Sequence, residues 1–362
     1  MTQAIGPPYA SLRERGTFQG VATGTSRAVL RALPQRTRRL SGWFRAPTVP
    51  SSQINACDIA YYRLSGRKGT IDMIDDLGSA VARYRKNGFV AGLPALSMDR
   101  VEALRSYIEQ LERDHADGAG GHSLDQFFRV NGHIVIPGLA DAARAPAILD
   151  VIEAILGPDL LAWSVELFIK EPGSAKTVSW HQDITYWGMG ETDDEVTAWI
   201  ALSDVSIEAG CMRFIPGSHK GGLVAHEDTF AADNLLSRGQ KIADVLEEDA
   251  IHAPLKPGQM SLHHGRCFHA SGQNRSDDRR IGLAIRYVTP AVRDHAPGRD
   301  WAMPVRGETP CGGWDCVAGP RGLFHPADIA LYDRILDGQS KTLAAGAEDK
   351  VGMYATNAQG PA

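Results

Sequence analysis

LAWSVELFIK, residues 161–170, decides the fold. Its side chains alternate and Pro172-Gly173 bounds it, which is how a strand with two unlike faces reads. Working outward, VTAWIALSDV (196–205), CMRFIPGS (211–218), PGQMSLHHG (257–265) and RRIGLAIRYV (279–288) are further strand-like runs, divided by clusters of Gly, Asn, Asp and Pro. No helix-crossover rhythm links them, which argues against a parallel doubly wound sheet. The expected plan is an antiparallel β core with helices packed outside. The helices come first. DDLGSAVARYRKNGFV places Leu77, Val81 and Tyr84 at helical spacing, with Asp75 or Asp76 as N-cap and Gly88 at the end. A second helix is expected from Ser97, carrying Val101, Leu104, Ile108 and Leu111. A third spans 145–156 and stops at Gly157-Pro158. Residues 228–248 read as an insertion with a helical stretch, and DIALYDRILDGQ near 328 reads as a late surface helix.

The 362 residues suit one large domain or two small ones. Hydrophobic residues at 43% and charged residues at 22% exclude wholesale disorder. Mean hydropathy is -0.22, and no apolar run reaches the ~20 residues of a membrane span, so a soluble protein with no membrane partner is expected. A net charge of -5 leaves no global basic surface for nucleic acid. Residues 11–45 differ: eight arginines face one acid, Glu14. They read as a basic arm, the alternative being an organelle transit peptide. The domain plan is therefore an arm at 1–60, a domain at 61–345 with its β core about 160–290, and a tail at 346–362. Five scattered cysteines, Cys57, Cys211, Cys267, Cys311 and Cys316, make a poor disulfide framework. They are expected as free thiols in a reducing, cytoplasmic setting, organelle import being the alternative.

The densest chemical signal is Trp180-His181-Gln182-Asp183. In extended chain His181 and Asp183 point the same way, offering an imidazole and a carboxylate to one divalent ion. A later segment, HHGRCFHASGQN, adds His263, His264 and His269. One of them completes a two-His, one-carboxylate face, which leaves three positions of an octahedral ion open, as in non-haem Fe(II) oxygenases. Arg280 follows His269 by eleven residues, and a guanidinium holds a carboxylate in fixed bidentate geometry. Ser271 lies two residues after His269 and can donate to the same carboxylate. Arg279 competes with Arg280, but alternation sends the two to opposite faces.

SWHQD (179–183), TAWIALSDVSIEAGCMRFIPGSHKGG (197–222) and PGQMSLHHGRCFHASGQNRSDDRR (257–280) together resemble the phytanoyl-CoA dioxygenase (PhyH-like) family of Fe(II)/2-oxoglutarate-dependent oxygenases, over about residues 73–290. The resemblance implies a mainly β fold with flanking helices, a double-stranded β-helix (jelly roll, cupin-like). It implies His181, Asp183 and His269 as metal ligands, and Arg280 with Ser271 as the 2-oxoglutarate clamp. Fe(II), 2-oxoglutarate and O2 are the implied cofactors, and no catalytic group is expected beyond the metal ligands. Halogenating relatives replace the carboxylate with Ala or Gly. With Asp183 in place, hydroxylation of a small organic metabolite is expected, with release of succinate and CO2. Desaturation, a non-catalytic cupin-like binding protein, and an interaction protein working through its basic arm are the alternatives. Members of the family take diverse substrates, and no CoA-phosphate-binding cluster is evident here.

The remaining assignments are secondary. His263 and His264 are expected in packing or around the ligands, and His219 in a structural turn. Trp199, Tyr186 and Trp187 are expected to line the substrate pocket, and Lys170 is expected to face solvent, the alternative being an approach to the cosubstrate. Loops 184–195, 223–250 and 291–325 are expected to supply pocket walls, because specificity resides in loops around a shared core. The implied partner is a small-molecule substrate, and nothing in the sequence sets an oligomeric state.

Overall fold

The computed structural model describes residues 76–227, 234–236, 241–242, 245–292, 300–308 and 311–344. The basic arm, the tail and Cys57 lie outside the described residues, as does most of the insertion at 228–248 with its expected helical stretch. No helix among the described residues is long and apolar enough to cross a membrane.

The expected N-terminal helices form as their caps dictate. In α1 (Leu77–Asn87) the Asp76 carboxylate accepts from the Ser79 amide, and Gly88 ends the helix at φ 81°. In α2 (Met98–Asp114) the Ser97 hydroxyl accepts from the Arg100 amide. Such caps are each worth ~1 kcal/mol. The strand β1 (Phe89–Pro94) separates these two helices. Two six-residue helices, α3 (Leu124–Arg129) and α4 (Pro137–Ala142), precede α5 (Pro146–Leu156), which opens on proline and ends at Gly157.

The strands then run β2 (Leu160–Lys170), β3 (Val178–His181), β4 (Glu195–Ala201), β5 (Met212–Phe214), β6 (Ile251–Ala253), β7 (Gln259–His263), β8 (His269–Ser271), β9 (Arg280–Val288), β10 (Trp301–Arg306) and β11 (Asp315–Cys316), before α6 (Pro326–Ala344). They build a seven-stranded sheet, β1-β7-β4-β9-β2-β10-β11, and a four-stranded sheet, β3-β8-β5-β6. Every pairing is antiparallel except the short one between β10 and β11.

Alternation divides β2 and β9 cleanly. Val165 and Leu167 with Ile281, Leu283, Ile285 and Tyr287 bury against Ile108, Phe127, Leu139 and Ile152 of the helical layer. Each such side chain contributes ~1.5–3 kcal/mol on burial. The opposite face of β4 and β9, with Trp199, Ala201 and Ala284, meets Met212 and Phe214 of the smaller sheet. Two expectations are corrected. The helix at 328 is not purely a surface element: Tyr332 and Ile335 of α6 enter the main core. Cys311 and Cys316 are not free thiols. Gly312 turns the chain at φ 64°, bringing their Cα atoms to 5.8 Å, and they are joined as a disulfide. Cys211 and Cys267 are free and buried.

Mid-strand Gly282 has a specific reason. A Cβ there would collide with the Trp199 ring, which lies on the neighbouring strand and covers the Arg280 guanidinium at 4.8 Å. Gly282→Ala is therefore expected to destabilise the fold by about 1–3 kcal/mol through overpacking, read by urea unfolding. A neutral result would mean that the ring moves without penalty.

Candidate active site

His181, Asp183 and His269 each present one donor atom, all within 4.8 Å of one another and buried. His181 closes β3, Gln182 is the pivot, and Asp183 enters a single 3-10 turn. Gln182 is fully buried. Its amide nitrogen donates to the Gly222 and Arg266 carbonyls, and its amide oxygen accepts from the Val224 amide. His269 opens β8 and pairs directly with His181 across the smaller sheet.

The protons of both ligand imidazoles are accounted for. His181 Nδ1 lies 2.8 Å from the Ser179 carbonyl and His269 Nδ1 lies 2.9 Å from the Cys267 carbonyl. A carbonyl only accepts, so each Nδ1 carries the hydrogen and each Nε2 is a lone pair. These lone pairs face Asp183 Oδ1 at 3.2 and 3.7 Å. Burial would raise the Asp183 carboxyl, but His269, His181, His263 and Arg286 around it prevail and hold it well below the usual carboxylate range. Burial and the neighbouring imidazoles push His269 well below its usual value. Three buried acceptors thus converge with no proton between them, an arrangement that a divalent cation satisfies. The outer oxygen of Asp183 is held separately. Thr197 donates to Oδ2 at 3.2 Å, His263 Nε2 stands 3.4 Å away and Arg286 Nε 3.9 Å.

Beside this centre lies a pocket of about 420 Å³, counting its open mouth, whose lining includes the triad, Phe168, Trp199, Leu236, Ser271, Arg280 and Arg286. One end is doubly cationic. Arg280 on β9 and Lys170 on β2 are cross-strand partners, 1% and 0% exposed. Ser271 Oγ accepts from Lys170 at 2.9 Å and from Arg280 at 3.4 Å, leaving its own proton to donate. Lys170 also donates to the Gly272 carbonyl. No carboxylate pairs with either cation among the described residues. Burial, with Arg280 as neighbour, pushes the Lys170 ammonium down to about 6. Burial lowers Arg280 to about 10, and its Nε has no hydrogen-bond partner. A buried guanidinium and a lysine poised to take up a proton, both without an acid partner and both around one hydroxyl, form a receptor for a carboxylate, and the far carboxylate of 2-oxoglutarate fits it.

The sequence-derived residues fall as follows. The triad meets, and Ser271 touches Arg280. Arg279 lies on the opposite face, in ion pairs with Glu112 and Glu171. Trp199 lines the pocket, and Trp187 covers Arg286 at 5.1 Å. The side chain of Tyr186 lies outside the described residues. His264 turns away to Asp193 and Glu195, while buried His219 sits against Gly88. Of the expected wall loops, 223–250 contributes Leu236 to the lining, whereas Trp187 of 184–195 lies behind Arg286, whose face it covers. Val292, Cys311 and Trp314 from 291–325 pack in the same apolar cluster as Trp187. Lys170 is a correction: it faces inward, because the polar face of β2 lines the interior of the roll. Thr197 and Arg286 carried no sequence signal beyond their positions on strands.

Residues 84–282 match the phytanoyl-CoA dioxygenase (PhyH) family. A probable alpha-ketoglutarate-dependent hypophosphite dioxygenase of Stutzerimonas stutzeri is 27% identical over 57% of this chain and 76% of that protein. Peroxisomal phytanoyl-CoA dioxygenase of Homo sapiens is 30% identical over 40% of this chain, but the match spans only 44% of the human protein. The apo structure of the non-heme monooxygenase ThoJ superposes with a TM-score of 0.65 at 33% identity, covering 74% of this chain and 98% of that one. With more than half of its length in the family match, the chain belongs to the phytanoyl-CoA dioxygenase family of iron- and 2-oxoglutarate-dependent oxygenases.

Proposed function

We propose that this oxygenase hydroxylates a C–H bond of a small organic metabolite or natural-product intermediate, consuming 2-oxoglutarate and O2 and releasing succinate and CO2. The observation that carries the reading is a single pocket joining three convergent lone-pair donors to a buried cation pair that lacks an acid. His181, Asp183 and His269 hold the iron, and Arg280, Ser271 and Lys170 take the far carboxylate of 2-oxoglutarate. When bound, the iron supplies the oxidising chemistry that no side chain here provides. The chain's own work is positional. Thr197 fixes the outer oxygen of Asp183, so that Oδ1 is the oxygen that would be offered to the ion. The Trp199 ring covers Arg280 and keeps water from the clamp. Trp199, and Trp187 through Arg286, border the substrate. The retained Asp183 carboxylate favours hydroxylation over chlorination, and a protein that merely binds metal has no use for the clamp.

Anaerobic Fe(II) with 2-oxoglutarate should give a weak visible charge-transfer band, and Asp183→Ala should abolish both the band and substrate-dependent succinate release. Retained hydroxylation in that variant would remove Asp183 from the ligand set. Arg280→Ala should weaken 2-oxoglutarate binding by one to two powers of ten, as expected from about 1.5–3 kcal/mol for a charge-assisted pair. Unchanged affinity would mean that the clamp is elsewhere. Lys170 also gives the binding a pH dependence. Its free-state value is about 6, and a bound carboxylate raises it. Above pH 6, binding therefore takes up a proton, and affinity falls as pH rises. Calorimetry in buffers of different ionisation enthalpy should detect this uptake in the wild type and lose it in Lys170→Met.

A further inference from the structure

Arg286 is a second buried guanidinium to which the proposed chemistry gives no substrate contact. It lies on β9 six residues beyond Arg280 on the same face, roughly 20 Å along the strand. It is 8% exposed and lines the pocket. Its Nη1 stands 2.7 Å from Glu166 Oε1 and 3.5 Å from Ser164 Oγ, and Trp187 covers its face. Nε is buried without a hydrogen-bond partner, and Asp183 Oδ2, at 3.9 Å, is beyond hydrogen-bond reach. Nη2 makes no hydrogen bond among the described residues. Nε and Nη2 form one edge of the guanidinium, the edge that accepts a carboxylate through two parallel bonds. An idle edge on a buried cation is costly unless an acceptor arrives to fill it.

Charge points the same way. In the loaded site Lys170 and Arg280 answer the 2-oxoglutarate dianion, and Arg286 answers Glu166. The ferrous ion meets only Asp183, so one positive charge remains for the substrate. Apart from the metal centre with Thr197 and His263, and the two cationic ends with Ser271, the lining is apolar and includes Phe168, Val178, Met212 and Leu236.

We propose that Arg286, under Trp187, anchors a carboxylate of the primary substrate, which is an organic monoacid with an apolar body. A planar carboxylate matches both the edge and the single residual charge, whereas a phosphate dianion exceeds that charge. The proposal rests on the oxygenase reading above, and its test separates the two. Full-length protein loaded anaerobically with Fe(II) and 2-oxoglutarate is titrated with straight-chain acids from butyrate to octanoate, phenylacetate and 3-phenylpropionate, each against its primary amide. Binding is read by calorimetry and by the perturbation of the visible band. At least one acid should bind on the order of tenfold tighter than its amide. That preference should vanish in Arg286→Gln and in the charge-neutral Arg286→Gln/Glu166→Gln pair, which leaves no unpaired buried acid, while the 2-oxoglutarate band persists in both. A band in the wild type with no preference for any acid overturns the proposal, as does a preference that survives in the double variant. A wild type without the band overturns the oxygenase reading, and this proposal with it.

Discussion

Two imidazole nitrogens and one carboxylate oxygen, all buried, point at a common centre from β3, the turn after it and β8. Each imidazole donates its Nδ1 hydrogen in a bond to a backbone carbonyl two residues earlier, Ser179 for His181 and Cys267 for His269. The strand geometry of the smaller sheet therefore fixes not only where the rings lie but which nitrogen is bare. Without a cation this junction is repulsive, and with one it becomes the point on which two sheets and their connecting loops agree. The rest of the roll can be understood as support for that junction. Gln182 holds the turn from behind, Thr197 steadies the outer carboxylate oxygen, and β9 brings two guanidiniums to opposite ends of the cavity.

The cavity is asymmetric in its electrostatics. Lys170 and Arg280 face no acid, whereas Arg286 is matched by Glu166. A site that kept both ends equally charged would attract the cosubstrate in two orientations. Here only one end holds a guanidinium with no acid of its own, backed by a lysine that protonates on binding, so the dianion has one favourable direction of approach.

Much of this was legible in the sequence, and the exceptions have a physical pattern. Helix caps at Asp76 and Ser97 and the stop at Gly88 are local signals and read well. Arg280 opens β9 facing inward, while Arg279, just before the strand, is drawn outward to Glu112 and Glu171, so the two separate as alternation of extended chain expects. Lys170 was misread for the same reason that β2 was recognised. Its polar face, Ser164, Glu166 and Lys170, looks like a solvent face, yet a rolled sheet turns such a face inward around a polar ligand. Helices α3 and α4 are six residues long, too short for periodicity to register. The pairing of Cys311 with Cys316 depends on a glycine turn whose conformation spacing alone does not disclose.

Gln182 has a consequence for how such a protein diversifies. The residue between the two adjacent ligands is hooked to the backbone at Gly222, Val224 and Arg266, so the first stretch of the following loop is bolted to the metal turn. The Gln182 backbone amide also donates to His226, so insertions or deletions before His226 would drag the ligands out of register, while those farther along the loop leave the bolt untouched. Lineages exploring new chemistry around this scaffold are thereby channelled into one permissive segment, with the ion's seat insulated from the experimentation beside it.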